Sequence, residues 1–145
     1  MALLKERAVS YQCAECGFTL WHPFARLASS TLGLYDDARF PGRCLLAFDG
    51  HVDDFAALDE RQSIAFVRDA QHVARALKRA TRAHRVNYAI LGNVERHLHF
   101  HLIPRVLDGD PVPNKSPWSH PEPARPLPVD ERERLIARIA SELAK

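Results

Sequence analysis

The sequence has little of what marks several large classes of protein. Only three of its 145 residues are cysteine, which argues against a disulfide scaffold and favours a reduced, cytoplasmic setting. Its six glycines form no Walker-type or dinucleotide-binding loop, so any nucleotide phosphate has to be bound by other groups. No apolar run is long enough to span a bilayer, and the first seven residues reach charge too early for a signal peptide. A membrane partner is therefore not expected.

Charge and length narrow the class further. Twenty Lys and Arg against 18 Asp and Glu leave a net charge of +2, and the basic residues are spread along the chain. This balance does not support nucleic-acid binding, which requires a concentrated basic patch. At 145 residues, with 46% hydrophobic and 26% charged residues, the composition is typical of one globular domain, residues 1–145, without internal repeats.

The clearest predicted element is a long helix that begins after Asp59. Asp59 can cap this helix, and Gln62 three residues later completes a capping box. An apolar stripe follows at steps of three and four residues, formed by Ile64, Val67, Ala70, Ala74, Leu77 and Thr81. A C-terminal helix is predicted over residues 130–144, with Asp130 as its cap.

Strands are predicted on both sides of the long helix. Residues 31–35 and the apolar run 44–48 precede it, and residues 86–91 pair with the strand that follows as antiparallel neighbours. Residues 19–30 are predicted as a short helix. Residues 108–128 hold seven of the ten prolines, which predicts an irregular arm that wraps the surface or crosses to a partner.

Three histidines at every second position form the most informative motif. In an extended strand, successive side chains point to opposite faces, so His97, His99 and His101 share one face. The other face then carries the apolar side chains Leu98, Phe100 and Leu102. One face of this strand is therefore suited to chemistry and the other to a core.

Two chemical uses fit such a row. Neutral imidazoles can bind a metal such as zinc, whose catalytic sites often combine three protein ligands with an open position. Alternatively, one imidazole is a nucleophile, and its neighbours hold protons and bind anionic oxygens. Asn93, a neutral donor close by in sequence, would complete a phosphate-sized anion pocket. The residues alone leave both uses open.

Cys13 and Cys16 have the spacing of half a zinc site. A closed structural site needs four ligands, and the candidates are Cys44 and the histidines. The alternative is a pair of reduced thiols in a turn. A thioredoxin-like redox pair is disfavoured, because no strand precedes the motif and no long helix clearly follows it.

The run from His97 to Arg105, with its Ile-Pro-Arg end, resembles the signature of the histidine triad (HIT) family. The preceding residues Gly92-Asn-Val-Glu-Arg are similar to the family's Gly-Gln-x-Val-x, with Asn93 in the place of Gln. Upstream, Pro41-Gly-Arg-Cys-Leu-Leu-Ala-Phe-Asp-Gly-His51 resembles the family's Pro-Gly-His segment, which is also followed by a long helix. The resemblance covers residues 31–106.

The resemblance implies an α+β fold with about five antiparallel strands, one long helix and a C-terminal helix, usually as a homodimer. It implies hydrolysis or transfer at the α-phosphate of a nucleotide, such as a diadenosine polyphosphate or a nucleoside phosphoramidate, without a cofactor. His99 would attack the phosphorus and form a nucleotidyl-histidine intermediate. His101 and Asn93 would hold the phosphate oxygens, and His97 would orient the row.

Several other positions follow from the same resemblance. Arg43 stands where many members carry a histidine; it can pair with phosphate but cannot carry a proton. Because Arg43 also removes a ligand that some zinc-binding members use, no bound zinc is predicted. His51 and Asp37 are candidate substrate contacts, the latter to ribose hydroxyls. Trp118 is expected to pack onto the sheet, with stacking on a base as the alternative.

Two further interpretations remain beside an enzyme of this type. The first is a metal-binding protein or metalloenzyme that uses the three histidines of the row as ligands. The second is a nucleotide-binding module that keeps the fold without catalysis. An intact middle histidine, His99, argues against the second, because binding alone does not require a nucleophile.

Overall fold

In the computed structural model, which describes residues 9–145, five strands form one antiparallel sheet. The strands are β1 Pro23–Arg26, β2 Ser30–Leu34, β3 Cys44–Phe48, β4 Arg85–Ala89 and β5 His99–Arg105, in the spatial order β1-β2-β3-β5-β4. Two helices, α1 Glu60–Thr81 and α2 Val129–Leu143, accompany short 3-10 turns at Phe55–Ala57 and Pro117–Ser119. This α+β architecture confirms the predicted fold. The segment on which the signal-peptide argument rests lies outside the described residues.

Helix α1 begins as the sequence predicts. The Asp59 carboxylate accepts a hydrogen bond from the Gln62 amide at 2.8 Å, and the Gln62 side chain accepts one from the Asp59 amide at 3.0 Å. Within residues 9–145, none of the helices is both long and apolar enough to cross a membrane.

The predicted apolar stripe of α1 is correct only in its second half. Leu77 is buried against the sheet as predicted, whereas Ile64 and Val67 are exposed and Phe66 and Val73 are buried in their place. Both sets of residues have helical spacing, and packing on the sheet buries the set that carries the large Phe66 ring. Asp69 lies on the buried face as well, because its carboxylate accepts hydrogen bonds from Ser29 and Ser30 at the β1–β2 turn.

Two predictions of secondary structure are wrong, one in the type of element and one in where a helix begins. Residues 19–30 do not form a helix, because Pro23–Arg26 pairs with β2 as an edge strand, where a residue without an N–H is tolerated. The C-terminal helix begins at Val129, and Asp130 lies in its first turn. The Asp130 carboxylate accepts a hydrogen bond from Arg134 instead of capping the helix.

The segment before β1 covers the sheet face opposite α1. Its Phe18 and Leu20 form a small apolar cluster with Leu45 and Ala47 of β3. Gly33 of β2 makes this close approach possible, because a Cβ atom there would lie 2.3 Å from the carbonyl oxygen of Trp21. Residues 9–22 form the N-terminal segment, which partly covers the face of the sheet that carries the histidines.

The proline-rich arm is held against its own chain. Arg105, which is buried, donates to the carbonyl oxygens of Val112 and Lys115. The amide of Leu127 donates to the Asp36 carboxylate at 2.7 Å. Of the two courses considered for the arm, the described contacts correspond to wrapping the surface.

Candidate active site

The histidine row, formed by His97, His99 and His101, lies on the face of the sheet that the N-terminal segment partly covers. His99 and His101 belong to β5, where they pair with Ala47 and Leu45, and His97 lies just before the strand. The rings of His99 and His101 are 5.0 Å apart between centroids. The Phe18 ring stacks on His97 at 4.9 Å and on His99 at 5.5 Å. The predicted common face is present, and the N-terminal segment closes part of it.

His99 has its lone pair on the nitrogen that a nucleophile needs. Its Nδ1 lies 2.6 Å from the backbone oxygen of His97, which can only accept, so Nδ1 carries the proton. In the neutral ring Nε2 is then unprotonated. The backbone of residue 97 thus orients the middle histidine, while the side chain of His97 is engaged elsewhere.

A cavity of about 400 Å³ opens beside His99. Its lining includes Gly92 and Arg96 from the loop before the row, and Asp54 and Phe55 from the segment before α1. This volume falls in the range of small-ligand sites. Asn93 is exposed and does not line this cavity, so its role as a phosphate contact stays a prediction.

His101 is in contact with a buried arginine. An Nη2 atom of Arg43 lies 3.1 Å from His101 Nδ1, and its Nη1 donates to Asp37 at 3.0 Å. Burial, then Arg43 and His99, lower the pKa of His101 to about 4. Arg43 therefore lies beside the row, as the resemblance implies, but its described partners are protein groups.

Asp37 has a different place from the one predicted. Its side chain is fully buried, and its two oxygens accept from the guanidinium groups of Arg39 and Arg43. Although burial raises the pKa of Asp37, the hydrogen bonds from Arg39 and Arg43 hold it below its usual value. With no exposed oxygen, Asp37 is unsuited to bind a ribose hydroxyl.

At the other end of the row, four potential metal ligands converge. Ligand atoms of Cys13, Cys16, His51 and His97 all lie within 4.8 Å of one another. Two Sγ–Nδ1 distances, from Cys13 to His51 and from Cys16 to His97, are 3.5 Å. Zinc bonds of about 2.3 Å to sulfur and about 2.0 Å to nitrogen, at tetrahedral angles, place a sulfur and a nitrogen about 3.5 Å apart. The donor set therefore fits zinc.

The proton on His97 is also where a metal ligand requires it. His97 Nε2 lies 2.8 Å from the carbonyl oxygen of Phe48, so Nε2 carries the proton and Nδ1 keeps its lone pair. The Tyr11 hydroxyl contacts the same nitrogen and the same carbonyl. Nδ1, the nitrogen nearest Cys16, is thus free to bind a cation.

Position 43 is not required for a four-ligand site. The prediction of no bound zinc rested on Arg43 replacing a ligand that some zinc-binding members use, whereas His51 and His97 complete the set of four without it. His51, predicted as a substrate contact, faces Cys13 instead. Across residues 9–145, the three histidines of the row do not form a metal-ligand group of their own.

Aromatic side chains flank the His101 end. The Trp118 ring, in the proline-rich arm, meets His101 edge-on at 6.1 Å and is 54% exposed, so it lies beside the row more than it packs into a core. Tyr35 lies 6.3 Å from His101 and 5.6 Å from Trp21. Sequence reasoning missed Tyr11 and Phe18, because no local signal shows that the N-terminal segment folds back over β5.

Comparison with known proteins decides the family. The profile of the HIT domain matches residues 26–107. The chain belongs to the histidine triad family. It is 30% identical to a histidine triad protein from Sinorhizobium meliloti, with a TM-score of 0.74, covering 83% of this chain and 87% of that one. The corresponding protein from Bradyrhizobium japonicum shows 26% identity and a TM-score of 0.75, covering 83% and 89%.

A zinc-bound histidine triad family protein from Mycobacterium smegmatis shares the fold at 20% identity and a TM-score of 0.61, covering 83% of this chain and 85% of that one. No curated protein sequence matches the chain significantly. Membership in the histidine triad family supports a nucleotide-directed hydrolase or transferase function in general and a nucleotide as the partner.

Proposed function

We propose that this histidine triad protein hydrolyses or transfers nucleotidyl groups at the α-phosphate, through a covalent intermediate on His99. The substrate classes are dinucleoside polyphosphates and nucleoside phosphoramidates. The observation that carries the proposal is the hydrogen bond from His99 Nδ1 to the backbone oxygen of His97, because it leaves Nε2 as a lone-pair nitrogen. The cavity beside His99 offers room for the nucleotide.

The chemistry proceeds in two displacements. First, His99 Nε2 attacks the α-phosphorus, a P–N bond forms, and the bond to the leaving group breaks with its electron pair on that group. A nitrogen leaving group takes up a proton as it departs, so that it leaves as the neutral amine. Then water, or another acceptor, attacks the same phosphorus and releases its proton to the solvent, and the P–N bond breaks with its electron pair on Nε2 to return the neutral ring. Splitting the displacement in this way replaces one difficult step by two easier ones.

The positive charge closest to the row comes from two arginines. Arg43 contacts His101, and Arg96 lines the cavity next to His99, where Asp53 and Asp54 also contribute carboxylates. Fixed positive charge in a partly water-excluded site stabilises a phosphoryl group in the transition state more than it would in water. The two arginines lie towards opposite ends of the row, on either side of His99.

We further propose that Cys13, Cys16, His51 and His97 hold a structural zinc ion. Four protein ligands close the coordination shell, so the metal would fix the fold of the N-terminal segment on the row and leave no open position for catalysis. This arrangement disfavours the metalloenzyme interpretation of the histidine row. Homodimerisation and a cytoplasmic location remain predictions from the family resemblance and the cysteine content.

Intact-mass spectrometry tests the covalent step directly. The protein is mixed briefly with diadenosine tetraphosphate or with an adenosine phosphoramidate and quenched. The expected result is a transient adduct of one AMP on the wild type, with none on His99→Ala. The absence of both adduct and AMP release with either substrate would contradict the proposal and favour a non-catalytic binding module.

A further inference from the structure

Arg43 is held in place by its backbone before any side-chain contact is considered. It directly precedes β3, its carbonyl oxygen accepts from the Tyr35 amide at 2.8 Å, and its amide donates to the Phe40 carbonyl oxygen at 2.9 Å. Gly42 forms the turn before it with φ +97°, where a Cβ would meet the Thr81 side chain at 2.7 Å. Position 43 is thus fixed relative to β3, which pairs with β5.

The guanidinium of Arg43 bridges two polar groups and lies on an aromatic ring. Nη1 donates to Asp37 and Nη2 contacts His101, while the guanidinium carbon is 3.9 Å from the Tyr35 ring centroid. Arg43 is only 7% exposed, and among the described residues its Nε has no hydrogen-bond partner. A buried cation with an unpaired N–H lowers the stability of the folded protein. Such a residue is poorly explained by packing alone.

The chemistry of the contact fixes the proton on His101. A guanidinium has five N–H donors and no acceptor, so His101 Nδ1 must accept. In the neutral ring, the other nitrogen, Nε2, then carries the proton. His101 therefore presents a donor at Nε2, whereas His99 presents a lone pair there.

We propose that Arg43 is a positioning residue that holds His101 in its neutral Nε2–H tautomer, so that His101 donates a hydrogen bond to a phosphoryl oxygen of the substrate. This inference deepens the proposed function and rests on it for the identity of the acceptor. It assigns Arg43 a task that a directly phosphate-binding arginine would not have, because the guanidinium acts through the imidazole.

The charge of the cluster works in the same direction. Asp37 carries one negative charge and is shared by Arg39 and Arg43, so these three side chains have a net charge of +1 beside His101. Among the described residues, the titratable or charged groups that face His101 are Arg43, His99 and Tyr35, none of which is anionic at neutral pH, and the Trp118 ring beside them carries no charge. Protonation of His101 is therefore opposed, and an incoming anion is attracted.

The tautomer can be measured on the free protein, without any turnover. Long-range 1H–15N spectra of the imidazoles at neutral pH distinguish a protonated nitrogen from a bare one, and the His101 signals are identified by their loss in His101→Phe. The expected result for the wild type is a protonated Nε2 and a bare Nδ1. A protonated Nδ1 on His101 would overturn the proposal, whatever the activity of the protein.

Substitution of Arg43 tests the consequence for catalysis. In Arg43→Met the single tautomer of His101 is expected to give way to a mixture, and kcat/KM to fall about 10- to 100-fold, by analogy with the loss of a group that orients a metal-binding histidine. Arg43→Lys retains a group that only donates, and its kcat/KM is expected to lie above that of Arg43→Met.

Arg39→Gln is the matched control. Arg39 pairs with the same carboxylate as Arg43 but touches no histidine of the row, so the tautomer of His101 should stay as in the wild type, and kcat/KM should fall less than in Arg43→Met because only one nearby charge is lost. Equal kcat/KM for the wild type and Arg43→Met would overturn the proposal, as would equal values for Arg43→Lys and Arg43→Met. Loss of turnover in the wild type would instead count against the proposed function, because the tautomer is read independently.

Discussion

The two ends of the histidine row differ although the residue type is the same. His97 lies among thiols, with Cys16 3.5 Å from its Nδ1 and a backbone carbonyl at its Nε2. His101 lies against the guanidinium of Arg43, which donates to its Nδ1. One end therefore presents the donor atoms of a cation site, and the other carries a fixed cation that favours anions.

This contrast gives the three histidines of the row three different environments. The neighbours leave a lone pair on Nδ1 of His97 and of His101, but on Nε2 of His99. A row of identical imidazoles would have no preferred nucleophile. The middle ring is distinguished because its Nδ1 donates to a backbone oxygen.

Loss of the His99 imidazole should have the largest effect on catalysis, because it is the proposed nucleophile. We expect His99→Ala to lower kcat by at least about 10⁴-fold, because no other group supplies the nucleophile, while nucleotide binding persists. Single-turnover hydrolysis and calorimetric titration with a non-hydrolysable analogue measure the two separately. His84→Ala, at an exposed histidine outside the row, is the control. Turnover that survives in His99→Ala would contradict the covalent step.

Disruption of the His97 end alone should cost stability. In the double variant Cys13→Ser, Cys16→Ser we expect loss of one bound zinc per chain and a fall in Tm on the order of 10 °C, because metal binding contributes to folding free energy. Metal analysis and thermal unfolding measure both. Cys44→Ala, at a buried thiol outside the donor set, should keep its zinc. A wild type that binds no zinc would contradict this half of the comparison.

The His101 imidazole should make the free energy of unfolding depend on pH. Its pKa is lowered from 6.5 to about 4, by burial first, then by Arg43 and His99. Between these values the unfolded chain binds a proton that the folded chain does not, so stability is full above pH 6.5 and falls as the pH drops towards 4. Urea unfolding at about pH 7 and about pH 5 should show a larger loss in the wild type than in His101→Gln. Equal losses would contradict the lowered pKa.

A contact far from both ends should matter least. Arg79 on α1 donates to Glu142 on α2 at 2.7 Å, but the Arg79 side chain is 45% exposed. Because solvent screens such a pair, Arg79→Ala should lower the free energy of unfolding by no more than about 1 kcal/mol, with unchanged kcat/KM. Urea titration measures it. A change in kcat/KM would show that the α1–α2 contact communicates with the row.

Patterns of residues close in sequence predicted much of the fold. The period-two alternation around His99 and the capping box at Asp59 each depend on residues close in sequence, and both predictions are confirmed. Residues 19–30 were misassigned because their structure depends on pairing with β2, which local propensity does not encode. The exposed Ile64 has a similar cause. Helical spacing is compatible with more than one apolar stripe on α1, and packing against the sheet decides which residues are buried.

The site was predictable where its chemistry lies on one strand. The three histidines follow from their spacing, but their partners come from distant segments: Cys13 and Phe18 from the N-terminal segment, and Asp37 from the loop before β3. Contacts of that kind depend on tertiary folding. Asp37 was therefore predicted as a ribose contact, although its carboxylate is saturated by two guanidinium groups.

The assignment of a different protonated nitrogen to the middle histidine is tested most directly by the imidazole 15N spectrum of the wild-type protein at neutral pH. We expect a protonated Nε2 on His97 and His101 and a protonated Nδ1 on His99. A bare Nδ1 and a protonated Nε2 on His99 would contradict it, because the proposed nucleophilic nitrogen would then have no lone pair to donate.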